Sequence, residues 1–191
     1  NIKKEKLFPK NYHYRPRFTL DVLNGMKELV DQTIMNFGDL KGKIVCDIGC
    51  NDGTLLNFYK KKGSITCGIE PTGAALEAKK NHKNIINEFF NLESANKIIS
   101  KVGFPDIITF TNVFAHIENL GDAIEALKLM LKKDTIIIIE NHYLGTVIKT
   151  NQFDTFYHEH PRTYSLKSFK FIAKKIGRKL AGVFFPNRYG G

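Results

Sequence analysis

Cysteine is scarce in this chain, and its three residues, Cys46, Cys50 and Cys67, form no Cys-x-x-Cys pair. That pattern fits neither a disulfide framework nor a zinc knuckle, and a reducing cytoplasm is the setting it implies. No apolar run reaches the ~18 residues needed to span a bilayer, and no charged segment followed by an apolar stretch and a cleavage site opens the chain. No membrane partner is therefore expected. Acidic residues are also in deficit, 19 Asp and Glu against 29 Lys and Arg, which leaves a formal charge of +10. The lysines are scattered over the predicted helices, so much of the excess is compositional, and a nucleic-acid partner is not indicated. A basic surface equally favours an anionic small substrate such as a sugar nucleotide. Internal repeats and low-complexity linkers are missing too. What is present, 191 residues with 42% hydrophobic content, suffices to bury one α/β core. A start at Asn1 instead of Met and a stop at Gly190-Gly191 are expected of a piece of something longer.

Residues 1–19 are basic and aromatic and read as an extended arm, with Tyr12, His13 and Tyr14 ahead of Arg15-Pro16-Arg17. Leu20, Leu23, Met26, Leu29, Val30, Ile34 and Phe37 then recur at helical spacing up to Gly38, a helix stop. From there strands and helices alternate. Strands are predicted over 44–48, 65–69, 84–87, 106–111 and 135–139, with helices around 55–59, 74–80, 94–102 and 121–131. Repeated βα units predict a doubly wound, mostly parallel sheet of Rossmann-like α/β class, preceded by the arm and its helix.

The segment Lys43-Ile-Val-Cys-Asp-Ile-Gly-Cys-Asn-Asp-Gly53 runs from an apolar strand into a glycine-rich turn and then a helix. Gly49 and Gly53 let the backbone turn tightly and approach a ligand. The middle glycine of Gly-x-Gly-x-x-Gly is absent, which weakens a pyrophosphate-cradling reading. Two carboxylates in the same turn, Asp47 and Asp52, would repel a phosphate and suit a cationic ligand, of which S-adenosylmethionine is one. The second strand ends in Glu70-Pro71, about 20 residues after the first glycine, where an acidic side chain in this kind of sheet grips ribose hydroxyls.

Ligands in such sheets bind beyond the carboxyl ends of the strands. Four of the six histidines fall there: His116 after the fourth strand with Asn112, His142 after the fifth, and His158 and His160 in the next loop. The loop Phe153-Asp-Thr-Phe-Tyr-His-Glu-His160 is dense in titratable groups, and proton transfer is its expected use. Glu159 is expected to fix the tautomer of His160, although neighbours on an extended backbone point apart, and Tyr157 to polarise a substrate oxygen. His158 and His160 invite a metal reading, but the ligand spacings of zinc motifs are not formed, so no metal is expected.

Together, Asp47-Ile-Gly-Cys-Asn-Asp-Gly-Thr-Leu-Leu56, Thr111-Asn-Val-Phe-Ala-His116 and Phe153-Asp-Thr-Phe-Tyr-His-Glu-His160 with Tyr164-Ser165-Leu166 closely resemble the S-adenosylmethionine-dependent C-methyltransferases of nucleotide-linked deoxysugars, over about residues 12 to 191. The first motif is shared by many class I methyltransferases; the Tyr-His-Glu-His loop is the specific one. The resemblance implies methylation at C3 of a thymidine-diphosphate-linked 4-keto-6-deoxy sugar, next to the C4 ketone. His160 would be the base, with Tyr157, Glu159 and His116 around the sugar ring and Tyr14 or Tyr12 closing over it, although Arg15-Pro16-Arg17 departs from the family's small polar residues there. Asp47, Gly49, Cys50, Asn51, Gly53, Glu70 and Pro71 would hold the cofactor, and Asn112 would border cofactor and substrate.

By the same resemblance the chain divides into an arm and helix over 1–37, a cofactor-binding domain over 38–178, and over 179–191 the start of a second α/β domain. Relatives in the family also carry an amino-terminal zinc-binding module, for which these cysteines supply no ligands. Competing readings are an O-methyltransferase, a nucleic-acid methyltransferase, and a noncatalytic cofactor-binding domain. The Asn/Asp-Pro-Pro-Tyr motif of nucleobase N-methylation is missing, since that position reads Thr111-Asn112-Val113-Phe114.

Overall fold

The computed structural model describes residues 3–186. Five strands form one sheet: β1 (Ile44–Ile48), β2 (Ile65–Ile69), β3 (Asn84–Ile86), β4 (Ile107–Thr111) and β5 (Ile136–Glu140). Their order is β3-β2-β1-β4-β5, and every pairing among them is parallel. Around the sheet lie α1 (Lys4–Leu7), α2 (Leu20–Phe37), α3 (Thr54–Lys61), α4 (Ala74–Asn81), α5 (Leu92–Val102), α6 (Leu120–Met130), α7 (Leu144–Lys149) and α8 (Leu166–Ile176). None of the helices among the described residues is long and apolar enough to cross a membrane.

Alternation along the strands builds two cores. Cys46 and Ile48 of β1 join Ile108 and Phe110 of β4 on one face, against Ile98 of α5, Ala126 and Leu127 of α6, and Ile172 of α8. Val45 and Ile107 point the other way, onto Met26 and Val30 of α2 and Leu55 and Tyr59 of α3. A parallel strand buried on both faces must be apolar throughout, which is how these strands read in the sequence. Asp47 is the exception in β1, and it is buried. β5 sits at the sheet's edge among the described residues, and all five of its positions are half-buried.

Several element limits follow from capping. The Asn91 side chain accepts from the Ser94 amide and the Ser94 hydroxyl accepts from the Asn91 amide, so α5 starts at Leu92, ahead of the 94 expected from periodicity. Ser165 and Ser168 cap α8 in the same reciprocal way. Neither α7 nor α8 is among the helices read from the sequence. The arm also departs from an extended conformation. α1 makes one helical turn and Pro16–Phe18 a 3-10 turn, because proline fixes φ there and the chain must bend to enter α2. Of the segment expected to open a second domain, residues 179–186 hold neither helix nor strand, and 187–191, with Gly190-Gly191, lie outside the described residues, as do Asn1 and Ile2.

Candidate active site

The chain leaves β1 toward β2 on one side and returns through β4 on the other, so the loops after β1 and β4 part at the carboxyl edge. The loop after β1 turns through three left-handed residues, Gly49 (φ +74°), Asn51 (φ +48°) and Gly53 (φ +80°). At Gly49 a Cβ would meet the Val113 side chain at 2.3 Å, so the turn is wedged against the loop after β4. Glu70 supports it from below: one carboxylate oxygen accepts from the Asn51 amide at 2.9 Å, the other from the Thr72 amide at 2.9 Å. Asp47 accepts from the Thr109 hydroxyl at 2.6 Å. Burial pushes its carboxyl up to about 7, with the Glu70 charge adding to the shift and the Thr109 bond opposing it.

Not every expected residue faces the ligand side. Asp52 does not, because its carboxylate accepts from the Thr54 amide (3.1 Å) and hydroxyl (2.6 Å), holding the start of α3, and pairs with Arg17 at 3.2 Å. The expectation that it complements a cationic ligand is corrected accordingly. Gly53 faces His82. That buried imidazole lies within hydrogen-bond reach of Thr66 and Asn57. The Cys50 side chain packs with Leu56, Ala75 and Ala78. Asp47, Gly49, Cys50, Asn51, Glu70, Pro71 and Asn112 all line one cleft of about 2010 Å3, which continues along α2 and β5.

Across this cleft stand the histidines. His160 and His116 have ring centres 4.8 Å apart, and His142 lies 5.4 Å from His160. His160 places Nδ1 3.0 Å from the Thr155 carbonyl oxygen, and His116 places Nδ1 2.6 Å from that of Glu159. A carbonyl can only accept, so in the neutral ring Nδ1 carries the proton and Nε2 keeps its lone pair. The Tyr157 hydroxyl is 3.1 Å from Nε2 of His160 and donates to it. Burial holds all three imidazoles below the usual histidine range and raises the Tyr157 phenol above its own. The expected pairing of Glu159 with His160 is not formed. A turn closed by the His160 amide on the Tyr157 carbonyl sends the two side chains apart, and the Glu159 carboxylate instead accepts from Tyr12 at 3.0 Å. His158 is exposed.

The arm bridges the two sides. Its Lys10 carbonyl accepts from Gly73, its Tyr14 carbonyl from the Asn51 side chain, and Tyr12 reaches Glu159. Arg15 pairs with Glu77 at 2.8 Å, and Arg17 joins Glu77 and Asp52. Phe8 lies 5.1 Å from the His116 ring. Tyr12, Tyr14 and Tyr157 thereby line the cleft together with Glu159, His116 and His160.

A family model described as a methyltransferase domain matches residues 22–181, the glycine turn and the histidine loop included. The chain belongs to that family. The methyltransferase domain is 26% identical over 182 residues to the C-methyltransferase NovU of Streptomyces niveus, a match covering 95% of this chain and 43% of that protein. It thus spans less than half of that relative's length. Among solved structures, a SAM-dependent methyltransferase from Archaeoglobus fulgidus superposes with a TM-score of 0.60 at 20% identity, over 79% of this chain and 68% of that one. A putative sarcosine dimethylglycine methyltransferase from Galdieria sulphuraria gives 0.61 at 16%, over 82% and 62%. Magnesium protoporphyrin IX methyltransferase from Synechocystis with bound SAH gives 0.54 at 16%, over 84% and 74%. These likenesses fix the Rossmann-like fold.

Some parts of the methyltransferase domain's site escape sequence reading. Thr155 orients His160 through its backbone, which any residue supplies, so no side-chain signal marks it. Thr109 caps Asp47 from a neighbouring strand 62 residues away, and Glu77 meets Arg15 across a similar separation. The Arg15-Pro16-Arg17 triplet was the visible clue to the latter, as an unusual cationic pair in an arm.

Proposed function

We propose that this domain binds S-adenosylmethionine against the glycine turn and methylates carbon C3 of a nucleotide-linked 4-keto-6-deoxy sugar, with His160 as the base. Two buried carboxylates support the cofactor assignment. Asp47 and Glu70 line the cleft, and neither enters an ion pair among the described residues, so a cationic ligand bearing ribose hydroxyls fits them. When bound, the cofactor supplies an electrophilic methyl on a positively charged sulfur. Glu70 would accept from the ribose, Asp47 would face the positive end, and Gly49 admits close backbone approach.

The observation that carries the carbon-acid chemistry is the fixed tautomer of His160. Its Nε2 lone pair, held by Thr155 and kept neutral by burial, is free to take the C3 proton once Tyr157 turns its hydroxyl toward substrate. A proton beside a ketone is acidic because the resulting enolate spreads charge onto oxygen. Tyr157 retains its own proton and donates to that oxygen, and His116 presents a second Nε2 nearby. Glu159 positions His116 through its carbonyl and Tyr12 of the arm through its carboxylate. Positioned general bases contribute ~100- to 10,000-fold. A cytoplasmic setting agrees with three buried, unpaired thiols.

In deuterated water, a 4-keto-6-deoxy sugar nucleotide should exchange its C3 hydrogen and, with S-adenosylmethionine, gain one methyl on carbon. His160→Asn should abolish both while calorimetry still detects the cofactor. A methyl found on oxygen or on a nucleobase overturns the reading, and undiminished exchange in the variant removes His160 from the role.

A further inference from the structure

His82 takes no part in the chemistry proposed above, yet it is buried and both of its ring nitrogens are engaged. It closes the end of α4, and its ring lies behind the glycine turn, where a Cβ added to the left-handed Gly53 would meet Cδ2 at 2.9 Å. Nε2 is 3.1 Å from the Asn57 amide oxygen on α3, and Nδ1 is 2.8 Å from the Thr66 hydroxyl on β2. An amide oxygen can only accept, so Nε2 carries the proton of the neutral ring and Nδ1 accepts from Thr66. His116 and His160 hold the opposite tautomer.

These bonds continue into the turn. The Asn57 amide donates to the Gly53 carbonyl at 2.9 Å, the first bond of α3, and the Gly53 amide donates to the Cys50 carbonyl at 2.9 Å. A path of hydrogen bonds therefore runs from Thr66 through His82, Asn57 and Gly53 to Cys50, which lines the cleft. The other half of the turn is anchored separately, by the Gly49 amide on the Ile69 carbonyl at 2.7 Å and the Asn51 amide on Glu70 at 2.9 Å. Asp52 caps Thr54 from within the turn and gives no hold on the sheet; His82 supplies that hold through Thr66. Burial and the Lys60 charge keep the imidazole below the usual histidine range against the pull of the Gly53 backbone, so the ring stays neutral and its bonds keep one direction.

We infer that His82 is a positioning residue for cofactor binding: it ties the α3 end of the glycine turn to β2 and so presets the backbone that S-adenosylmethionine meets. The inference rests on the glycine turn being the cofactor cradle and is independent of the sugar chemistry. A turn already ordered in the free protein spares the ligand the cost of ordering it, so cutting the tie lowers affinity. His82→Phe fills similar space without either bond. Calorimetry should show its dissociation constant for S-adenosylmethionine raised about threefold to tenfold, the scale of one or two hydrogen bonds. In the cofactor-free variant, amide exchange should quicken at Gly53 and Asn57 while Gly49 and Asn51 stay protected.

His82→Gln, which can still donate to Asn57, should recover part of both effects. Asn57→Ala removes the same bond from a half-buried helix position, leaves the core untouched, and should weaken binding to a similar degree even if His82→Phe fails to fold. A lowered melting temperature with unchanged cofactor affinity in the His82 and Asn57 variants makes His82 a core residue only and overturns the inference. Glu70→Gln separates this outcome from failure of the cradle. Weaker binding there, with parent-like binding at His82 and Asn57, removes His82 alone; unchanged binding in all three removes the glycine turn from the cofactor, and the inference with it.

Discussion

Asp47 concentrates the physics of this site at the level of a single residue. A carboxyl with a pKa near 7 is part protonated at neutral pH, and a cation placed beside it favours the charged form. Binding of S-adenosylmethionine near pH 7 should therefore release a fraction of a proton, seen as a dependence of the calorimetric enthalpy on the buffer's ionisation enthalpy. Asp47→Asn should eliminate that dependence. The cause is burial, and only the partner across the sheet, Thr109, moderates it. Asp47 and Asp52 look equivalent in the sequence. They differ because one sits mid-strand facing the cleft edge while the other is spent on the α3 start and on Arg17.

At the scale of elements, the arm illustrates how contacts that are weak one by one add up to a fixed conformation. Exposed ion pairs contribute little individually, yet Glu77 receives both Arg15 and Arg17, and backbone bonds from Gly73 and the Asn51 side chain hold the same stretch. Glu77→Ala should accelerate amide exchange over residues 8–17 severalfold and leave the melting temperature nearly unchanged, since no core residue is touched. Exchange as slow as in the parent would show that Tyr12–Glu159 and the backbone bonds suffice. Helices α2 to α6 and the five strands were legible because their apolar spacing records which face is buried. α7 was not, since its start is tied to a distant loop by the bond of the Leu144 amide to the Tyr164 carbonyl; α8 and the turns of the arm were missed although they are closed locally, α8 by the Ser165–Ser168 box and the arm at Pro16.

Taken as a whole, the molecule carries two opposed responses to acid. His82, His116, His142 and His160 all have folded pKa values below the ordinary one, so the unfolded chain binds more protons as pH falls through about 6.5, and stability declines. Asp47 has the reverse sign: its folded pKa of about 7 lies above the unfolded 3.8, so its contribution is lost as pH rises through 7 and regained on acidification. Between pH 7.5 and 5.5 the parent protein should therefore show a shallow change in urea midpoint, and Asp47→Asn a steeper fall toward acid. Equal slopes would mean that Asp47 titrates near its unfolded value.

From its sequence alone the chain determines the doubly wound sheet, the glycine turn and the two edge loops that carry the histidines, because strand burial, left-handed turns and βα alternation are local or periodic properties. Which nitrogen of His160 is basic, which acid meets Tyr12, and which of the two turn aspartates faces the cleft depend on groups brought together from far apart in the chain. Those choices belong to the tertiary structure, where a carbonyl or an arginine from another loop takes up one partner and leaves the other for the ligand.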